Sequence, residues 1–591
     1  MPVDVHDLLI PSSGQFFRMA VPLQNQKVAA IFDRLVQNAT GPIEAREERV
    51  QHVDQNRTYW ASFLCFQVES PPSFLPYTNL RERSYSFLLL IELQKANQWY
   101  LGVFKTRIGS LDDDLEDVCA AIPQKALIRS FGDRATYQKL SSRRMTVSTA
   151  ELRATSHEAE NLETAMPSLG VTRSVPRQLR LRHATEGVVS ITPSTSRIHK
   201  TGARQAVNGL AALVAEVATE TQRARANKFL DAFPIAISFG EKPKGLRPTG
   251  ILFDWWRLIV DEKLVLKRAD PNNGASVPFN PEELQALLGG VLMVRKNGAQ
   301  WSLHDHLGNL VGHVRENTRG YSVYELAENS IHVESVDTGE MQKLTTWARD
   351  NRAFHIALSS PDYFYTGDHL FKRAGFDKEV QLVEGILSAL PQLATVDSEK
   401  GNPIPHTPAE TQFPPHSIFR VVEDVHLQHR DYLWCTDLGD EWADYIALAG
   451  SRLILAHCKH GAQSLGATPY QEVVGQALKN VSRIQPTREA YSEKIKAAQN
   501  KHTWGHTGIV RLRDAGKNWN DFENAAGEFL KNPAIIREIH LVVSMLSLAE
   551  FKAEAVKQKK APEFIQLVWL LSSFMNSTRE MGGRPLVICA P

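Results

Sequence analysis

Asp444, His457 and Lys459 are the residues of this chain whose types and spacing best suit chemistry at a phosphate. Asp444 offers a hard carboxylate to a divalent cation, and His457 an imidazole better matched to Mn²⁺ or Zn²⁺ than to Mg²⁺. Lys459 adds a point charge able to steady negative charge on a reacting oxygen. The spacing alone is a weak signal, because exposed hairpins carry such residues by chance. The elements that surround these residues give it weight.

Three β-prone runs, Asp431 to Thr436, Trp442 to Ala449 and Arg452 to Lys459, are separated by turn residues at 438–440 and 450–451. An antiparallel meander is the simplest arrangement. Alternation along the third run puts Leu453, Leu455, His457 and Lys459 on one face and Ile454, Ala456 and Cys458 on the other. A hairpin turning at Gly450 sets Asp444 opposite the neighbourhood of His457, so acid, imidazole and ammonium are expected to converge. Upstream, Ser417 to Asp424 reads as a short helix capped by Ser417. Downstream, Pro469 to Val481 reads as a helix capped by Thr468 and carrying Gln471 and Gln476. Glu423 is a further candidate ligand, and Glu441 a substitute that alternation turns away from the His457 face.

This order of helix, strand with Asp444, strand ending at Lys459 and helix with Gln476 resembles the PD-(D/E)xK, or restriction-endonuclease-like, superfamily, in its RecB-like branch. Asp444 looks like the motif Asp, Lys459 like the motif Lys and Gln476 like the helix Gln, while His457 stands where a second acid is usual. The phrase from Ala456 to His460 is similar to a His-x-Lys variant of prokaryotic antiphage and anti-plasmid defence proteins, as are the flanking phrases Asp440 to Ile446 and Val474 to Asn480. The resemblance covers about residues 417–484. It implies a C-terminal α/β/α domain with a mixed sheet that hydrolyses phosphodiester bonds of DNA, or of RNA, with Mg²⁺ or Mn²⁺. In that reading Asp444, His457 and Glu423 hold the metal, Lys459 steadies charge or orients the attacking water, and Gln476 hydrogen-bonds a metal-bound water or the substrate backbone. The rival reading keeps the fold but not the activity: with an acid replaced by His457, the domain grips nucleic acid or a partner protein, such as another defence component, without cutting.

Elsewhere the most basic stretch is Val171 to Gln205, where Arg173, Arg177, Arg180, Arg182, Arg197, Lys200 and Arg204 face a single acid, Glu186. It is either a phosphate-binding surface or a solvated loop face. His304, His306 and His313 are a candidate zinc group, set against a turn-rich hairpin with incidental histidines; His502 and His506 lie in a loop pattern. No Gly-x4-Gly-Lys-Ser/Thr loop and no serine nucleophile elbow occurs, which removes P-loop and α/β-hydrolase chemistry.

With 591 residues the chain exceeds what one core supports, and a mixed α+β, multidomain organisation is expected. Residues 1–140 read as an α+β domain with helices near 28–37 and 111–121, 141–245 as a basic and helical segment, and 246–400 as a mixed domain with a small antiparallel sheet. Residues 401–416, with five prolines from Pro403 to Pro415, read as a linker before a last domain at 417–591. In that domain, runs at 539–547 and 585–589 read as strands and 562–575 as a helix. A net charge of +1 requires any nucleic-acid contact to come from local patches. Five scattered cysteines without a CxxC pair, no apolar run of membrane-spanning length and no signal-peptide pattern point to a reducing, cytoplasmic setting without a membrane.

Overall fold

The computed structural model describes residues 4–54, 57–72, 78–147, 152–166, 171–223, 225–255, 257–260, 264–269, 276–297, 300–326, 331–335, 341–401, 409–437, 441–501, 503–514 and 516–591. The chain is mixed α+β and forms two compact units, one of residues 1–162 and 173–374, the other of 163–172 and 375–591.

The first unit contains an eleven-stranded, a nine-stranded and a four-stranded sheet, all with antiparallel pairing. Long alternating strands such as Arg57–Ser70 and Glu82–Lys95 pair in unbroken register, and helix Asn25–Val36 covers their buried face. The helix expected at 111–121 is only Asp112–Leu115, followed by the strand Cys119–Ala121. A boundary at 140 does not appear, because strand Ala135–Val147 runs through that position and pairs with Ser174–His183. The basic stretch is therefore not a loop: it forms the strands Ser174–His183, Gly187–Thr192 and Arg197–Lys200 of the eleven-stranded sheet. The expected small sheet at 290–336 is part of the nine-stranded one, apart from Ile331–Ser335.

The second unit is built on a six-stranded mixed sheet. Its strands are β1 (Leu387–Ala389), β2 (Tyr432–Cys435), β3 (Tyr445–Ala449), β4 (Arg452–Lys459), β5 (Ile536–Ser547) and β6 (Arg584–Ala590), in the order β1-β6-β5-β4-β3-β2. The expected meander β2-β3-β4 is present, and β4, β5, β6 and β1 are parallel. The helices are α1 (Phe376–Glu384), α2 (Ile418–Val421, continued by a π-helical turn to His426), α3 (Gln471–Lys479), α4 (Arg488–Asn500), α5 (Trp519–Lys531), α6 (Leu548–Ala555) and α7 (Pro562–Glu580). Ser417 caps α2 as expected, its hydroxyl accepting from the Arg420 amide, whereas Thr468 opens a 3₁₀ turn and makes no cap bond to α3.

Helices α1 and α3 to α7 cover the sheet face of Leu453, Leu455, Leu541 and Val543, while α2 with Phe413 and Ile509 covers the face of Tyr445, Ala456, Cys458 and Val542. Each fully buried Leu, Val or Phe contributes roughly 1.5–3 kcal/mol of transfer free energy, which fixes β4 between two dry layers. The expected linker does not divide domains here. Residues 375–401 lie in the same unit as 409–591, with β1 completing the sheet and the Ile418 and Phe419 amides donating to the Ser398 and Glu399 carbonyls. Phe413, 1% exposed, packs edge-on against Phe419 and Trp504, so this residue of the segment belongs to the core. Pro403, Pro405 and Pro408 lie outside the described residues. No helix among the described residues is long and apolar enough to cross a membrane.

Candidate active site

The hairpin that carries the candidate residues turns at Gly450, whose φ of +58° is open to glycine and costly for other residues. Regular pairing of β3 with β4 runs from Ala449 opposite Arg452 to Tyr445 opposite Ala456. One further step would set Asp444 against His457. Instead the Asp444 N–H donates to the Ala456 carbonyl at 3.0 Å, and Asp444 Oδ2 accepts from the Cys458 N–H at 2.7 Å. The carboxylate thus takes a backbone carbonyl's place in the ladder and lies against the Cys458 peptide rather than the His457 ring. A one-residue departure from register moves a side chain to the other face, which is why the expected convergence of Asp444 with His457 does not occur.

Asp444 is 8% exposed, and burial pushes its carboxyl up to about 7. The Cys458 amide and Lys400 oppose that rise, while Asp437 and Glu399 add to it. His457 is 2% exposed and burial alone lowers it to about 4, so the ring is neutral at neutral pH. Its Nε2 makes no hydrogen bond among the described residues. An imidazole sealed among α3-face side chains is no ligand partner for Asp444.

The groups gathered around Asp444 are ones the sequence did not single out. Glu399 and Lys400 end the segment held by the α2 amides; Lys400 Nζ lies 2.7 Å from Asp437 and over the Phe419 ring. Asp437 also accepts from Trp504 Nε1 at 2.8 Å. Lys459, at the end of β4, reaches Glu472 on α3 at 2.8 Å and Glu399 at 3.5 Å. Burial lowers both lysines, but Asp437 for Lys400 and Glu472 with Glu399 for Lys459 outweigh it, so both are held above the ordinary lysine value. The side chains of Glu399, Lys400 and Lys459 each keep between a quarter and a third of their surface exposed, so the rim is open to solvent above a buried Asp444. The site lies at the C-terminal end of the parallel strand β4, the end at which open α/β sheets take ligands. The only sequence trace of Glu399 and Lys400 is a polar pair ahead of a proline-rich run, which composition cannot separate from a linker.

Gln476 is half-buried, one turn beyond Glu472 on α3, and its side chain makes no hydrogen bond among the described residues. Asn480, another turn on, donates to the Glu441 carbonyl at 3.1 Å. The polar row Glu472, Gln476, Asn480 therefore runs along α3 from Glu472, the partner of Lys459, toward the start of β3. Glu441 Oε2 is buried without a partner among the described residues.

Glu423 is not available as a ligand. It is 3% exposed and accepts from Arg513 Nε and Nη2 at 2.7 and 2.9 Å and from the Tyr445 hydroxyl at 3.0 Å, a fully used carboxylate on the α2 face. Among the described residues no three His, Cys, Asp or Glu side chains are grouped to hold a metal.

Of the basic candidates, Arg180 pairs with Glu158, Arg182 with Glu160 at 3.8 Å and Lys200 with Glu186 and Glu216, so acids distant in sequence neutralise much of the stretch. Arg197 and Arg204 are exposed; Arg177 is half-buried and separate from them. His304 is bonded to Ser302 and Gly308, and His313 stacks on Tyr324; the alternative in which His304, His306 and His313 hold zinc finds no such group among the described residues. His506 has a φ of +60°, and His502 and Asp440 lie outside the described residues. Comparison of the chain with protein-family models and with curated proteins finds no match.

Proposed function

We propose that the second unit is a metal-dependent nuclease of restriction-endonuclease-like fold, acting on phosphodiester bonds of DNA. The observation that carries this reading is the gathering of Glu399 and Lys459 on a solvent-open rim above the buried carboxylate of Asp444, at the C-terminal end of β4. The order of α2, the meander β2-β3-β4, α3 and the parallel strand β5 supports the fold.

Mg²⁺ is commonly bound by one or two carboxylates with water and substrate phosphate filling the other positions, and Asp444 with Glu399 fits that donor set. Glu399 takes the place the sequence left to His457. A bound Mg²⁺ or Mn²⁺ supplies Lewis acidity and a water acidified toward neutral pH. Lys459 stays cationic and offers its ammonium to a phosphate oxygen in exchange for Glu399. Lys400, kept charged by Asp437, sets a second positive group beside Asp444. Gln476, without a side-chain partner among the described residues, would orient a water or the substrate backbone. Antiphage or anti-plasmid defence, the setting implied by the resemblance, belongs to the same proposal.

The second reading, a binding module without catalysis, is favoured by the sealed His457 and by the ion pairs that occupy Lys459. Cleavage of plasmid and single-stranded DNA with Mg²⁺ and then Mn²⁺ separates the two. Activity that is lost on chelation and in both Asp444→Ala and Lys459→Ala supports the nuclease; DNA binding without cleavage, unchanged by chelator, supports the module.

A further inference from the structure

Buried charge in folded proteins is ordinarily matched, and the first unit holds a place where it is not. Arg143, on strand Ala135–Val147, is 3% exposed. Its Nη1 donates to Asp254 Oδ2 at 3.0 Å and touches the His355 ring, while its Nε has no partner among the described residues. His355, 1% exposed, lies 3.1 Å from the same Asp254 oxygen and 2.6 Å from the Thr366 hydroxyl. Burial lowers its ring to about 4, so it adds no charge at neutral pH.

Arg177 lies on the neighbouring strand Ser174–His183. The pairing steps from Ser141 opposite Gln178 to Ser142 opposite Pro176, leaving Arg177 as the extra residue of a β-bulge. Bulges re-aim a side chain and are enriched beside binding sites. Arg177 is half-buried, yet makes no hydrogen bond or ion pair among the described residues. Burial, together with Arg143 and Arg257, holds its guanidinium down to about 10, and Asp254 is the acid that opposes them. Arg257 is itself anchored through Nη1 to the Asn351 carbonyl at 2.9 Å. Among the described residues, Arg143, Arg257 and Asp254 are the charges that act on Arg177, so three guanidiniums meet one carboxylate, an excess of two positive charges.

We propose that Arg177, backed by Arg143 and flanked by Arg257, binds a phosphate dianion. The excess charge matches a phosphate monoester better than a singly charged carboxylate, and the planar fork of Arg177 suits two phosphate oxygens. Asp254 and His355 hold Arg143 in place and leave Arg177 to the ligand. The phosphate is that of a free mononucleotide-like ester or the terminal phosphate of a nucleic-acid strand. This site is independent of the chemistry proposed for the second unit.

The test uses the full-length protein, with thermal unfolding and titration calorimetry. Inorganic phosphate is compared with chloride at equal ionic strength, then a nucleoside 5′-monophosphate, then 5′-phosphorylated and 5′-hydroxyl oligonucleotides. Phosphate is expected to raise the melting temperature, with Arg177→Ala weakening binding by roughly tenfold to a hundredfold, the loss of one or two charge-assisted hydrogen bonds. Without ligand, Arg177→Ala is expected to melt at or above the wild-type temperature, because an uncompensated cation has gone; a merely structural arginine would lower it. Arg177→Gln serves the same comparison should the alanine variant not fold. A mononucleotide that binds as tightly as the phosphorylated strand identifies a small ligand, and preference for the strand identifies a nucleic-acid end. A phosphate shift no larger than that of chloride, an equal shift in Arg177→Ala, or equal binding of 5′-hydroxyl and 5′-phosphorylated strands overturns the assignment.

Discussion

The rim around Asp444 and the cluster around Arg177 both draw charge away from water, but with opposite imbalance. Around Asp444, the acids Glu399, Asp437 and Glu472 outnumber Lys400 and Lys459, and burial, with Asp437 and Glu399 adding to it, pushes the carboxyl at the base up to about 7. Around Arg177, guanidiniums outnumber the single acid Asp254. The contrast teaches that the missing charge, rather than the residue type taken singly, tells which ligand a site is built for. A third buried group, Glu423 with Arg513 and Tyr445, is balanced within itself and asks for nothing.

The comparison breaks most visibly in catalysis. Asp444→Ala and Lys459→Ala are each expected to lower DNA cleavage by about a hundredfold or more, in the range typical of removing a group that stabilises transition-state charge, measured under single-turnover conditions with Mn²⁺. Glu399→Gln is expected to lower it by at least about tenfold and to raise the metal concentration needed. An unaffected Glu399→Gln enzyme would return the second ligand to some other residue.

Stability sharpens the contrast between balanced and unbalanced burial. Glu423→Ala leaves Arg513 unpaired in the core and is expected to cost about 3–5 kcal/mol in urea unfolding, with or without metal. Asp444→Asn should do the reverse. The carboxyl's folded value lies above its unfolded one, so the native state binds the extra proton and stability falls as pH rises from about 4 to about 7. The amide still accepts from the Cys458 N–H, so Asp444→Asn is expected to gain on the order of 2 kcal/mol at pH 8 and nothing near pH 4, measured by urea unfolding at both values. His457 has the opposite sign: its folded value of about 4 lies below the unfolded one, so its contribution is lost as pH falls from about 6.5 to about 4. The smallest effect is expected at Arg182, whose 3.8 Å pair with Glu160 is exposed; Arg182→Ala should change stability by less than about 0.5 kcal/mol in the same assay.

Local pattern carried a good part of the second unit. Apolar runs with period-two alternation and the Gly450 turn dictated the meander, and Ser417 dictated the start of α2. These are short-range properties, set by backbone sterics and by neighbours a few residues away. The carboxylate of Asp444 escaped that logic because one irregular step at a strand end exchanged its face, and the irregularity depends on the Cys458 amide across the ladder.

Sequence pattern alone sufficed for the class, mixed α+β, and for the strand order that carries Asp444 and Lys459. Tertiary structure alone decided that Glu399 and Lys400 close around Asp444, that Glu423 is used up by Arg513, that the basic stretch is neutralised by Glu158, Glu160 and Glu216, and that Arg177 is left over. The physical reason is the same in each case: charge balance in a dry site is a sum over side chains brought together from distant segments, and no window of sequence contains all the terms.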